Sequence, residues 1–535
     1  LTAYRGSDKF LILVIVLAPL NFRDSLCNFV GSQKTRASLP LLIQFPPMPL
    51  SLLRYTLLVC SAAVLSARPN IVWIIPDDMS AHFGTYGETT IETPHLDAMA
   101  ERGVKFTRAF VTAPVCSTNR SAFITGMYQT SIGAHNHRSG RGDLKINLPD
   151  GVELVPKLFQ DAGYYTSISG WPVSPNRKGK TDYNFEWDQS VYDGIDWSGR
   201  KEDQPFFAQI QTQGGKIRGS DLEKYLKTAQ RADEELGSHT SVDDVTLPPY
   251  YPNDNAVLRQ DWAAYLDSVR LTDHMIGEVL ARLEVEGELD NTIVIFMTDH
   301  GISHARGKQF LYEEGIHVPL VIQGPGIHAG SVREDLVEHI DIAALSLAAA
   351  DITIPTNMQA RDILAADYAP RDAAYSARDR CDETVDYLRS VRTERFKYIR
   401  NYLPERPHMM PNRYKDAKAI IVALREAHAA GTLTPAQELL FAPTRAPEEL
   451  YDLVKDPHEL NNLADDPKSA SLLKVMRWKL TEWEVATGDH GLESEAMYDS
   501  DMLAYRKSVK SKAPDQLEGF ERNVAQMKAW TAEGK

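Results

Sequence analysis

Short, unbroken apolar runs, each closed by a polar turn, recur along the chain. Ile71–Ile75 (IVWII) and Thr292–Met297 (TIVIFM) lack the alternation of a half-exposed strand, so both are predicted as strands covered on two faces. Tyr164–Ser169, Pro205–Gln211 and Val318–Ile322 read as further strands. Helical periodicity fills the gaps between them. His95–Arg102 puts Leu96, Met99 and Ala100 on one side, and Asp261–Glu286 carries an apolar stripe from Ala264 to Leu283. Strands alternating with helices predict an α/β fold: a large, mainly parallel sheet flanked by helices, over residues 68–370.

Beyond about residue 370 the pattern changes. Tyr375–Asp379, Arg389–Asn401 and Glu449–Val454 read as strands joined by long charged loops, the second containing a turn at Thr393–Arg395. Residues 371–535 are therefore expected to form a smaller C-terminal subdomain with an antiparallel sheet. Leu472–Ala486 is predicted helical, and the charged tail from about 500 is expected to wrap the surface.

Residues 1–47 contain an apolar run, Phe10–Leu20, too short to span a bilayer. Met48 then opens MPLSLLRYTLLVCSAAVLSA, with one charge at Arg54, an apolar centre Tyr55–Cys60 and small residues ending at Ala67. That is the layout of a secretory signal peptide over 48–67. The expectation is translation from Met48, cleavage near Ala67–Arg68, and a secreted or periplasmic product without a membrane span, with 1–47 as non-native upstream sequence. A membrane anchor is the alternative, and N-terminal sequencing of secreted material separates them.

The chain has 535 residues, 43% hydrophobic and 24% charged, as in an ordinary globular protein. A net charge of −15 excludes the broad basic face of a nucleic-acid binder. An anionic substrate must then be met by a local cationic cluster or a metal. Of four cysteines, Cys27 and Cys60 lie before residue 68, and Cys116 and Cys381 show neither a disulfide framework nor paired zinc spacing.

Candidate chemistry concentrates in three places. Ala113–Gly126 (APVCSTNRSAFITG) sets Cys116 four residues before Arg120 in a run leading into a helix. A thiol, a guanidinium and free helix-start N–H groups suit a tetrahedral anion, although a buried Cys with an unrelated surface Arg would read the same. The strand IVWII ends in Asp77 and Asp78, and TIVIFM is followed by Asp299 and His300. In open α/β sheets ligands bind just past the carboxyl ends of strands. Adjacent carboxylates there resist desolvation unless a cation holds them; otherwise they belong in a solvated turn. Three carboxylates suit Ca²⁺ or Mg²⁺ rather than zinc, with His300 either a ligand or a neighbour.

The segments PNIVWIIPDD (69–78), CSTNRSAFITG (116–126), GKTDYNF (179–185), TDHG…RGK (298–308) and YDLVKDPHELNNLA (451–464) together resemble the type I, formylglycine-dependent sulfatases of the alkaline-phosphatase superfamily. The resemblance runs from about 69 to 460. It implies that a formylglycine-generating enzyme oxidises Cys116 to Cα-formylglycine, whose hydrate attacks sulfur and later releases sulfate through its second hydroxyl. It implies that Asp77, Asp78, Asp299, His300 and modified Cys116 hold Ca²⁺, and that Arg120, Lys180 and Lys308 surround the sulfate. Fixed cations and the metal would neutralise ester oxygens that shield sulfur from a nucleophile.

The chain departs from the pattern in three ways. Thr118 stands where the family has Pro or Ala, Thr181 and Asp182 follow Lys180 in place of Trp and His, and the later His is replaced by a stretch ending in Gln213 and Lys216. The leaving-group acid is therefore expected at His304, with His135 and His137 next. Lys216, Arg138, Arg378 and His408 are candidate substrate contacts, and Trp171, Trp187, Tyr192 and Trp197 are candidate sugar-stacking faces or a local core. The resulting expectation is hydrolysis of sulfate esters, on a sulfated carbohydrate. A phosphatase or phosphonate hydrolase of the same superfamily, or a non-catalytic binder of sulfated glycans, is the alternative.

Overall fold

The computed structural model describes residues 68–535; the expected upstream segment and signal peptide lie outside the described residues. The centre is β1 (Asn70–Pro76), buried at all seven positions. The other strands of its sheet are β2 (Val104–Phe110), β3 (Tyr165–Gly170), β4 (Ser174–Lys178), β5 (Phe206–Thr212), β6 (Thr292–Met297), β7 (His317–Gln323), β8 (Ser331–Arg333) and β9 (Val337–Glu338). Their order is β4-β3-β5-β1-β6-β7-β2-β8, with β9 also pairing β2.

β3, β5, β1 and β6 run parallel, while β7 is antiparallel to both β6 and β2. The sheet is thus mainly parallel, as expected. β2 lies outside the expected strands because its charged Lys105 and Arg108 mask the pattern.

Unbroken apolar strands make sense where both faces are covered. On one face Trp73 meets Phe123 and Phe207 edge-on, at centroid distances of 6.0 and 5.0 Å. On the other, Val72 and Ile74 pack in one cluster with Trp262, Leu266, Val269 and Ile276 of the helix Ala256–Val285. That helix starts before the expected Asp261, where the Asn255 side chain caps the N–H groups of Val257 and Leu258.

The second sheet is antiparallel, in the order β10 (Ala374–Arg378), β11 (Leu388–Arg392), β12 (Phe396–Asn401) and β13 (Glu448–Asp452). The expected turn within 389–401 separates β11 from β12, with Thr393 N–H donating to Phe396 O at 2.8 Å. The tail beyond 500 is more than a surface wrap. Glu495–Lys512 and Leu517–Ala532 are helices sharing their own core of Tyr498, Met502, Val509, Phe520 and Met527. Buried Asp501 ties them to the rest by accepting from Arg380 and from the N–H groups of Arg141 and Gly142.

The aromatic segment also resolves to packing. Trp197 is fully buried and stacks on Phe206, Trp171 packs edge-on against it, and Tyr192 bonds Tyr183 and Gln209. Trp187 joins Tyr183 and Tyr192, while Trp171 and Trp187 remain part-exposed. No helix among the described residues is long and apolar enough to cross a membrane.

Candidate active site

The site follows from the strand order. β1 and β6 are parallel neighbours with Ile74 opposite Phe296, so their carboxyl ends bring Asp77 and Asp78 beside Asp299 and His300. Asp299 N–H donates to Pro76 O at 3.1 Å, and Met79 N–H to His300 O at 3.0 Å. Asp78 takes φ 56°, and its N–H donates to the Asp299 carboxylate at 2.9 Å. β5 flanks β1 on the other side, with Thr212 opposite Pro76. The loop after β5 therefore delivers Lys216 to the same place. Gly214 and Gly215 allow this approach: a Cβ on either would lie 2.2 Å from the carbonyl oxygen of Asp77 or Asp78.

Cys116 opens the wholly buried helix Cys116–Thr125 and is 3% exposed. Its Sγ lies 3.1 Å from His300 Nε2, 3.2 Å from Lys308 Nζ, 3.6 Å from Lys216 Nζ and 3.8 Å from Asp78 Oδ1. One helical turn on, Arg120 reaches back to the strand ends. It donates to the Asp77 carboxylate, to Asp299 Oδ2 at 3.1 Å and to Gln211 at 2.6 Å. The thiol-to-guanidinium spacing thus spans one turn of a buried helix, not an accident of sequence.

The charges are dense and mutually compensating. Asp77 accepts from Lys180 at 3.1 Å and Lys216 at 2.6 Å, and Asp78 from Lys308 at 3.1 Å. Burial would raise both carboxyls, yet these cations hold them well below the usual carboxylate range. Burial likewise pushes the Cys116 thiol up, but Lys180, Lys216 and Lys308 more than offset it and bring it to about 7. For His300, burial pulls down while Asp299, Cys116 and Asp78 pull up harder, to about 10.

Asp78, Cys116, Asp299 and His300 offer donor atoms all within 4.8 Å of one another, a group able to hold a metal ion. Asp77 stands outside that group, engaged by Arg120, Lys180 and Lys216. Two carboxylates favour a hard cation such as Ca²⁺, whereas a thiolate is a soft donor. The donor set becomes consistent for Ca²⁺ once residue 116 presents oxygen in place of sulfur.

Several expected residues are not brought to this centre. His304, the first choice for leaving-group acid, is buried between Tyr251 and Trp262, with Nε2 3.5 Å from Asp261. Burial lowers its imidazole to about 3, and nothing connects it to Sγ. His135 bonds Gly491 O and stacks on His490, with burial lowering it to about 4. His408 is stacked against Phe310, and Arg378 is buried against Asp386. His137 lies nearer: its Nδ1 is 2.7 Å from the Oγ of Ser117, the residue after Cys116. Arg138 is half-exposed and reaches Asp382 at 3.8 Å. Packing accounts for the first four.

Other residues belong here without having been expected. Asn119 donates to Asp299 O at 2.6 Å and Gln211 holds Arg120, both from within elements that face the strand ends. Tyr414 and Lys418 reach the same cavity as Asp78 and Lys216 from the C-terminal part. Their signal was absent, because long charged loops precede them.

Comparison with known proteins agrees with this geometry. The sulfatase family description matches residues 69–352, and the C-terminal description of N-sulphoglucosamine sulphohydrolase matches 300–434. An ulvan-active sulfatase of Formosa agariphila is 32% identical over 79% of this chain and 76% of its own length. Human N-sulphoglucosamine sulphohydrolase is 29% identical over 79% of this chain and 91% of its own. The solved phosphonate monoester hydrolase of Agrobacterium radiobacter shares the fold at TM-score 0.52 and 19% identity, covering 78% of this chain and 96% of that one. That likeness shows architecture alone. Carried by half the chain in one family match and by a relative at 32% identity, the conclusion is that this chain belongs to the sulfatase family and is a sulfate ester hydrolase.

Proposed function

We propose that the chain removes sulfate from a sulfated carbohydrate, with Cys116 oxidised to Cα-formylglycine as the nucleophile and Ca²⁺ held by Asp78, Asp299, His300 and residue 116, with Asp77 as the further ligand that the family pattern implies. The observation that carries this reading is the convergence of Lys216, Lys308, His300 and Asp78 on the Cys116 side chain, within 3.8 Å. When bound, Ca²⁺ supplies a Lewis acid for the ester oxygens, and the aldehyde hydrate supplies an oxygen nucleophile with a second hydroxyl for release.

The chain's own residues do the rest. Arg120 fixes Asp77 and Asp299 at the two strand ends, so it positions the metal ligands. Lys180, Lys216 and Lys308 offer ammonium groups around residue 116 and neutralise charge on the sulfate oxygens in the transition state. With His304 walled off, the proton for the leaving oxygen falls to Lys216, which stands where the family pattern has a histidine and lines the open cavity. The carbohydrate reading is supported by the names of the two relatives, which act on ulvan and on N-sulphoglucosamine. Maturation by a formylglycine-generating enzyme and a secreted or periplasmic location fit the 48–67 pattern. Residues 68–370 would be the catalytic domain and 371–535 the C-terminal subdomain that closes the cavity.

The test is sulfate release from sulfated oligosaccharides beside turnover of matched aryl sulfate, phosphate and phosphonate esters. Sulfate turnover should dominate, vanish on chelation, return with Ca²⁺ and be abolished in Cys116→Ala. Faster phosphonate turnover would favour the hydrolase alternative. Glycan binding with no sulfate release from a protein bearing an unmodified thiol would favour the binder.

A further inference from the structure

The cavity that opens at Asp78 and Lys216 has a volume of about 330 Å³, within the range of small-ligand sites. Its far wall comes from the C-terminal half: Arg413, Tyr414 and Lys418, with Gln516 beside them. Four cations and a single carboxylate line it, on a chain whose net charge is −15.

The four cations are not alike. Lys216 is neutralised by Asp77, and Arg218 by Asp261 at 2.9 Å. Among the described residues Lys418 and Arg413 pair with no carboxylate. Lys418 is 6% exposed and donates to Ser303 Oγ at 2.7 Å and Ser303 O at 3.3 Å. Arg413 donates to Tyr505 OH and to Gln516, and its buried Nε has no partner among the described residues.

A buried ammonium without a counter-charge is costly, and burial accordingly pulls Lys418 below its ordinary value. A lysine that only filled space would extend towards water, as its flexible stem allows. Here Ser303 pins it at the cavity wall. The Tyr414 ring links it to the centre, lying 4.8 Å from Lys418 Nζ and 5.1 Å from Lys308 Nζ. The two ammonium groups are therefore no more than about 10 Å apart. A separation within that bound suits two anionic substituents on one sugar or on adjacent sugars.

We propose that Lys418 and Arg413 form a second anion subsite, so that the preferred substrate carries, besides the sulfate that is hydrolysed, a further carboxylate or sulfate group. This deepens the sulfated-carbohydrate reading and rests on it for the position of the first group. Arg413 offers the guanidinium N–H groups that Tyr505 and Gln516 leave over, and Lys418 adds a point charge on the same cavity wall.

The experiment uses two substrate pairs: a sulfated disaccharide with a neighbouring uronate against its carboxyl-reduced form, and a disulfated against a monosulfated sugar. For each, kcat/KM is measured on the wild-type protein, Lys418→Gln and Arg413→Gln, and Kd on the Cys116→Ala protein. In at least one pair the wild type should prefer the more anionic member by tenfold or more, and both variants should bring that ratio towards one. The responding pair tells carboxylate from sulfate. Equal kcat/KM within both pairs for the wild type, or a preference that survives both substitutions, overturns the subsite. If no member releases sulfate while Cys116→Ala still binds the more anionic member tenfold tighter, the hydrolytic reading fails and the subsite stands.

Discussion

Gly215→Ala is a single methyl group aimed at the geometry that assembles the centre. The new Cβ would lie 2.2 Å from the carbonyl oxygen of Asp78, against a practical minimum near 3.0 Å, so something must move by about 0.8 Å. The obstructing atom is backbone, at a residue already held at φ 56°, and cannot swing aside as a side chain would. The shift falls on Asp78 or on the loop that carries Lys216, both in contact with Cys116 Sγ. A misplacement of about 1 Å in a catalytic constellation costs roughly 10²-fold in rate. We therefore expect kcat for an aryl sulfate to fall by about two orders of magnitude. The control is Gly519→Ala in the helix Leu517–Ala532, where the nearest atom to the added Cβ is 3.7 Å away. It should keep wild-type kcat and gain about 1 kcal/mol of stability from helix propensity. A Gly215→Ala enzyme within threefold of wild type would refute the claim that this close approach sets the site.

The leaving-group role of Lys216 predicts unequal losses: Lys216→Met should lower kcat by about 10²–10⁴-fold for an alkyl or glycosyl sulfate, and far less for a nitrophenyl sulfate, whose leaving group needs no proton. Equal losses on both substrates would remove Lys216 from that role. In unmodified, metal-free protein, thiolate absorbance should report Cys116 titrating near pH 7, thiolate forming as pH rises. Lys308→Met should move that midpoint upward, since an ammonium 3.2 Å from Sγ is lost; an unmoved midpoint would contradict the assigned electrostatics.

Much of this site was legible because its parts sit at the ends of strands that announce themselves. IVWII and TIVIFM are apolar without interruption, and the carboxylates fall directly after them, so their meeting needed only that the two strands be parallel neighbours. The spacing of Cys116 and Arg120 carried the rest, being one turn of helix. What failed was the part decided by packing between distant segments. His304 has the right spacing from His300 and Lys308, yet Tyr251 and Trp262 enclose it. Arg378 and His408 looked available and are buried by the small sheet and its loops. Tyr414 and Lys418 left no local trace, because the first sits in a four-residue helix, Arg413–Asp416, with no periodicity to read, and the second caps the start of the next helix, Ala419–Ala429. The tail from 500 reads as surface, since its apolar residues face a small core made mostly with its own partner helix, with Val385 packed against it.

The central claim is that the side chain at position 116 is an oxidised thiol set among fixed cations. Mass spectrometry of the tryptic peptide Ala109–Arg120, taken from a preparation that releases sulfate, tests it directly. The account predicts a peptide lighter by the exchange of the CH₂SH group of Cys116 for an aldehyde. An intact thiol peptide from fully active enzyme would contradict it.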